Sequence, residues 1–254
     1  MNKLLAICKK DVLVSLTTPL AYILCSAYIF MSGFFFFSYL RAFGPSQKIA
    51  AMTGGVSLSF NSAVIIPLYQ AQIVLLLFIV PLISMRSFSE EKQSGSLELL
   101  LTMPVSLTTL VVAKWLALLA LIGGVLILGG VYPLLICVIG DPEVLPVLVG
   151  GFGLFLFLGL ISALGVFVSS LCSSQSVAGI LTLIFGLAWF LIDIPFGSQG
   201  TDFAIFIKSL AVSMAVEELF HGVLSVSNVY FFIGGIIAFL FLTVQTLSSQ
   251  SGRV

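Results

Sequence analysis

Residues 145–171, LPVLVGGFGLFLFLGLISALGVFVSSL, contain no charged side chain. As a helix this stretch would be about 40 Å long, more than the roughly 30 Å hydrocarbon core of a bilayer. In lipid it can only be helical, because a lone strand leaves its backbone polar groups unsatisfied. The alternating pattern of a membrane barrel is absent. Five further apolar stretches flank it, at about 20–40, 64–85, 110–139, 177–196 and 229–247. The 110–139 stretch is long enough to tilt or bend. The pattern predicts an all-α, polytopic membrane protein with six transmembrane helices, forming one transmembrane domain over residues 1–254.

Composition agrees with the spans. The chain is 60% hydrophobic and only 8% charged, against about 25% charged in a soluble domain. Its mean hydropathy is +1.25. Twenty charged side chains could not cover the surface of a soluble protein this large, so a soluble enzyme, a nucleic-acid binder and a disordered chain are excluded. The net charge is zero. Cys8, Cys25, Cys137 and Cys172 show no paired spacing and read as packing residues. A single histidine excludes a multi-histidine zinc site within the chain. There is no G-x-x-x-x-G-K-[ST] phosphate loop, so the chain is not itself a P-loop ATPase and binds no cofactor of its own.

The loops set the expected orientation. With a cytoplasmic N-terminus the inside holds Lys3, Lys9, Lys10, Arg86, Lys92, Lys114 and Arg253, and the outside only Arg41, Lys48 and Lys208. The positive-inside rule therefore places both termini in the cytoplasm. The first apolar run is too long for a cleaved signal peptide. Residues 41–63 read as an external loop, 141–146 as a tight external turn, 172–176 as an internal turn, and 197–228 as an external segment. Within the last, 203–220 suits an amphipathic helix lying on the membrane surface.

Two polar islands stand out. In residues 1–18, Leu5, Cys8, Val12 and Leu16 fall on one helical face with Lys3 and Lys10 opposite, the pattern of an interfacial helix. A basic leader that only sets topology fits the same residues. The second island is residues 85–106, MRSFSEEKQSGSLELLLTMPVS. Gly95 divides it, Ser96 can cap a second helix with apolar Leu97, Leu100 and Leu101, and Pro104 ends that helix. A short charged-and-apolar helix between two spans suits docking on a soluble partner. A solvated cytoplasmic loop suits the composition equally well.

This second island, with Lys114 at the foot of the next span, resembles the signature of ABC transporter type-2 permeases, most closely those of the gliding-motility and sodium-efflux kind. The pattern there is an arginine, an aromatic, one or two glutamates, a basic residue, then Gly-Thr-x-Glu-x-Leu-Leu-x-x-Pro. Ser96 replaces the usual threonine. Lys9-Lys10-Asp11, Thr18-Pro19-Leu20-Ala21-Tyr22 and Gly222-Val223 before Tyr230-Phe231-Phe232 are weaker likenesses. The resemblance implies a permease half that pairs with a second half, identical or different, above a dimer of cytoplasmic ATPase subunits that bind ATP and magnesium. It implies that 86–105 is the coupling segment, with Glu91, Gly95, Glu98, Leu99 and Leu100 at the transmission interface. Arg86 and Glu90 would tie the end of the second span to that bundle. The implied setting is the bacterial inner membrane, and the implied activity is export, or mechanical work on an envelope assembly.

A few other residues have the chemistry for a separate role. Asp193, near the outer end of the fifth span, reads as an interfacial acid or as an intramembrane functional carboxylate. Glu217, Glu218 and His221 share a helical face that could bind a metal weakly or sense pH, or simply be solvated. Gly159-x-x-x-Ala163 and Gly165-x-x-x-Ser169 allow close helix packing. A stand-alone secondary transporter or channel is the rival reading, and would need ionisable residues along a central path.

Overall fold

The computed structural model describes residues 2–53, 59–97, 105–139, 143–194 and 208–251. Among these residues the regular structure is entirely helical. The helices are α1 (Asn2–Thr17), α2 (Pro19–Thr53), α3 (Ile66–Ser84), α4 (Arg86–Gln93), α5 (Leu107–Gly129), α6 (Val131–Ile139), α7 (Val144–Leu171), α8 (Gln175–Phe190), α9 (Val212–Phe220) and α10 (Val226–Ser251). A π-helical turn, Asn61–Ile65, leads into α3. Five helical stretches are long and apolar enough to cross a membrane: Pro19–Pro45, Asn61–Gln93, Leu107–Ile136, Val144–Leu171 and Val226–Gln250.

Helix α7 is the axis of the bundle. Helices α3, α4, α5, α8, α9 and α10 all pack on it. Phe157, Leu158 and Leu160 are fully buried although they point in different directions around the helix. A helix apolar on every side belongs in the middle of a bundle. Glycines let its neighbours close in. A Cβ built on Gly165 would stand 2.1 Å from Ser84 Oγ on α3, and one on Gly150 2.3 Å from Tyr69. Ala163 and Ser169, the partners in the two small-residue pairs, are also fully buried.

Several expected boundaries move. The fifth apolar stretch was expected to span 177–196, but α8 stops at Phe190 and Leu191–Asp193 turn. Its 16 helical residues measure about 24 Å, less than the hydrocarbon core. The external loop expected over 41–63 is mostly helical, because α2 runs on to Thr53 through Ile49, Ala50, Ala51 and Met52, which favour helix. The long third stretch divides at Gly130 into α5 and α6, with Gly130 itself at helical angles, φ −66° and ψ −13°. In the 197–228 segment, α9 buries Val212, Ala215, Val216 and Leu219 and packs on α7. Its apolar face packs on the wall of α7 around Gly153. Residues 195–207 lie outside the described chain.

Candidate coupling site at the charged end of the bundle

Helix α4 continues almost straight from α3. Met85 between them keeps helical angles, φ −54° and ψ −28°. The first turn of α4 still needs hydrogen-bond acceptors, and α7 supplies one. Ser169 Oγ accepts from the backbone N–H groups of Phe88 (3.0 Å) and Ser89 (3.1 Å), and donates to Met85 O (3.0 Å). The Phe88 ring beside it is fully buried. Lys92 Nζ donates to Ser170 O at the end of α7. Together these contacts fix α4 across the foot of the bundle.

Lys114 is the centre of the site. It lies two turns into α5 and is only 5% exposed. A buried ammonium needs paired charge and hydrogen bonds. Its Nζ contacts Glu91 Oε1 of α4 at 2.7 Å and Asp11 Oδ2 of α1 at 3.6 Å. It donates to Ser87 O at 2.8 Å and stands 5.0 Å from the centre of the Phe88 ring. One lysine thus joins three helices that are distant in sequence. Burial, and then the charge of Asp11, push the Cys8 thiol up from its ordinary value, which makes it a packing residue rather than a nucleophile.

The placement of Asp11 corrects the expected face of α1. Leu4, Ile7, Cys8, Asp11, Val12 and Ser15 are the partly buried positions, against α5 and α2. Leu5 and Leu16 are 60% and 40% exposed. The inward face is therefore rotated away from Leu5 and Leu16 so that Asp11 reaches Lys114. The rotation leaves Leu5, Leu13 and Leu16 outward, beside Lys9.

Of the residues singled out from sequence, Glu91 is in the ion-paired cluster. Arg86 and Glu90 line a cleft of about 410 Å³ next to it. Among the described residues neither makes an ion pair, and Arg86 Nε is buried without a hydrogen-bond partner. The ties between α4 and the bundle run through Phe88, Ser89, Glu91 and Lys92 instead. Gly95 follows the end of α4 with φ +71°, a left-handed conformation that favours glycine. Ser94 and Ser96 approach each other across this turn, Oγ to Oγ 2.8 Å, and helix resumes at Ser96 with Leu97 buried. Glu98, Leu99 and Leu100 lie outside the described residues.

Sequence reading missed the roles of Asp11, Lys114 and Ser169. For Lys114 the signal was present: a lone cation inside an apolar helix calls for an acidic partner. At the opposite end, Glu218 Oε2 accepts from Asn228 Nδ2 at 2.7 Å, and Asp193 sits in the turn after α8. Gln72 donates to Ser32 Oγ at 3.0 Å, and Thr182 to Ala178 O at 2.8 Å. These polar groups within the spans are used for packing.

No curated protein matches the chain. A family model, described as ABC-2 family transporter protein, matches residues 5–248. That match covers all the elements described above, from α1 through the charged foot to α10, and the chain belongs to the ABC-2 transporter family as a membrane-embedded permease subunit.

Proposed function

We propose that this permease subunit couples ATP hydrolysis in a separate cytoplasmic ATPase dimer to export across the bacterial inner membrane. It works with a second permease half, the same chain or a different one. Both termini lie in the cytoplasm. The short helix α8 serves as a sixth span, and α1 lies in the interface with Leu5, Leu13 and Leu16 toward lipid. The coupling segment is 86–105, with Glu98, Leu99 and Leu100 in its second half, and ATP with magnesium stays in the partner.

The observation that carries this reading is the cluster around Lys114. A push on α4 reaches α5 through Glu91–Lys114 and α1 through Lys114–Asp11, and it reaches α7 through Ser169. A receiver of force from outside the membrane needs such rigid attachment. The polar groups within the spans are few, which suits a hydrophobic or amphipathic cargo. A stand-alone secondary transporter needs free ionisable groups on a path through the spans. The ionisable group held deepest, Lys114, is committed to two carboxylates.

The test is co-purification of the cognate ATPase with variants. Glu98→Lys should release the ATPase while membrane abundance stays normal, since charge reversal at a complementary interface costs several kcal/mol. Leu100→Ala should weaken docking by about 1–3 kcal/mol if it anchors in a pocket. Lys48→Glu, in a segment assigned to the outside, should not. Equal retention by all three variants would refute the coupling assignment.

A further inference from the structure

The cleft beside the Lys114 cluster is two-sided in its chemistry. One part is lined by Lys10, Asp11, Arg86, Glu90, Glu91 and Lys114, three cations and three anions. The other is lined by Val14, Leu20, Ala21, Ile83, Ala117 and Leu118. The apolar set lies deeper along the spans. Leu20 and Ala21 open α2, Ile83 is in the last turn of α3, and Ala117 and Leu118 are about one turn beyond Lys114. The cavity therefore passes from a charged foot into an apolar wall at the level where the spans end.

Its charges are balanced in number but not in pairing. Lys114 is shared by Asp11 and Glu91, so that cluster carries one excess negative charge. Asp11 Oδ2 and Glu91 Oε2 have no hydrogen-bond donor, and Arg86 Nε has no acceptor. Around that cluster the cleft also presents Lys10, Arg86 and Glu90, which make no ion pair among the described residues and offer a ligand both signs of charge.

We propose that the cleft binds the headgroup of a zwitterionic aminophospholipid. The phosphodiester lies toward Arg86 and Lys10, which make no ion pair among the described residues. The primary ammonium lies toward Glu90 and the excess carboxylate charge of Asp11 and Glu91. The first acyl methylenes run along Ala21, Ile83 and Leu118. A purely anionic lipid would meet three carboxylates with no cation of its own to offer them. A choline headgroup carries the charge but has no N–H to donate. This inference rests on family membership and the membrane setting, and not on the docking of an ATPase.

The test uses the full-length chain, purified in detergent and stripped of lipid. Phosphatidylethanolamine, phosphatidylcholine and phosphatidylglycerol with the same acyl chains are added in turn. Thermal melting and the lipid retained in native mass spectrometry are read. Phosphatidylethanolamine should raise the melting temperature most and be retained roughly tenfold over the other two, the size of one charge-assisted hydrogen bond. Arg86→Gln and Glu90→Gln should each remove the preference, and Glu143→Gln at the opposite end should keep it. Equal retention of the three lipids by the wild-type chain, or a preference for phosphatidylglycerol, overturns the proposal whether or not the variants fold. So does displacement of the bound lipid by a docked ATPase, which would make the cleft a protein site. Failure of the wild-type chain to retain the ATPase, with the lipid preference intact, would count against the coupling role alone.

Discussion

At the scale of single residues, the cost of burying Lys114 sets the character of the site. A buried ammonium is tolerable only with its partners, and removing one member of such a cluster leaves the others uncompensated. Lys114→Met should therefore destabilise the protein by about 3–5 kcal/mol, because Asp11 and Glu91 then face each other without a cation. Combining it with Asp11→Asn and Glu91→Gln should recover most of the loss. Melting of the detergent-solubilised variants decides this. If the single variant melts like the wild type, the cluster contributes nothing. The sequence held Asp11, Glu91 and Lys114 in plain view, as charges in a chain that has few. It could not pair them, because Glu91 and Asp11 lie 23 and 103 residues from Lys114 along the chain.

At the scale of elements, α3 and α7 meet closely at Gly165. Gly165 faces Ser84, and a methyl group there would overlap both Ser84 Oγ and Ser84 Cβ, at 2.1 and 2.6 Å. Because Ser84 Cβ itself is in the way, no rotamer change relieves the clash. Gly165→Ala should cost about 1–3 kcal/mol through overpacking, and Ser84→Gly in the same chain should restore part of it. Failure of the second substitution to help, measured by melting or by yield of folded protein, would show that the two helices do not meet there. The same contact matters for function, since it brings Ser169 one turn on against the first turn of α4. A longer side chain at Gly165 would move that hydroxyl off the Phe88 and Ser89 amides. The small-residue spacing on α7 was readable as a packing signal, but its second role as the cap of a helix from elsewhere in the chain was not.

At the scale of the whole molecule, charge separates the two ends. Lys10, Asp11, Arg86, Glu91, Lys92 and Lys114 gather at the foot of the bundle, and Glu143, Glu217 and Glu218 lie at the other end. The basic count assigns the first end to the cytoplasm. Reporter fusions should then give a cytoplasmic signal at the C-terminus and an external one at residues 141–146. An alkaline-phosphatase signal at the C-terminus would refute both the orientation and a sixth crossing by α8. The sequence by itself determined that the chain is a helical membrane protein, because runs of some twenty apolar residues have no other stable state in lipid. It also located the charged segment after the second apolar stretch, because charges that break such a pattern stand out. Only the tertiary structure decided which way α1 faces, that α9 docks on α7, and that Lys114 is shared between α1 and α4. Apolar periodicity is nearly blind in a chain this hydrophobic, where lipid-facing and protein-facing sides of a helix look alike. Pairing between distant helices then depends on the shape of α7 and on where its glycines let neighbours approach.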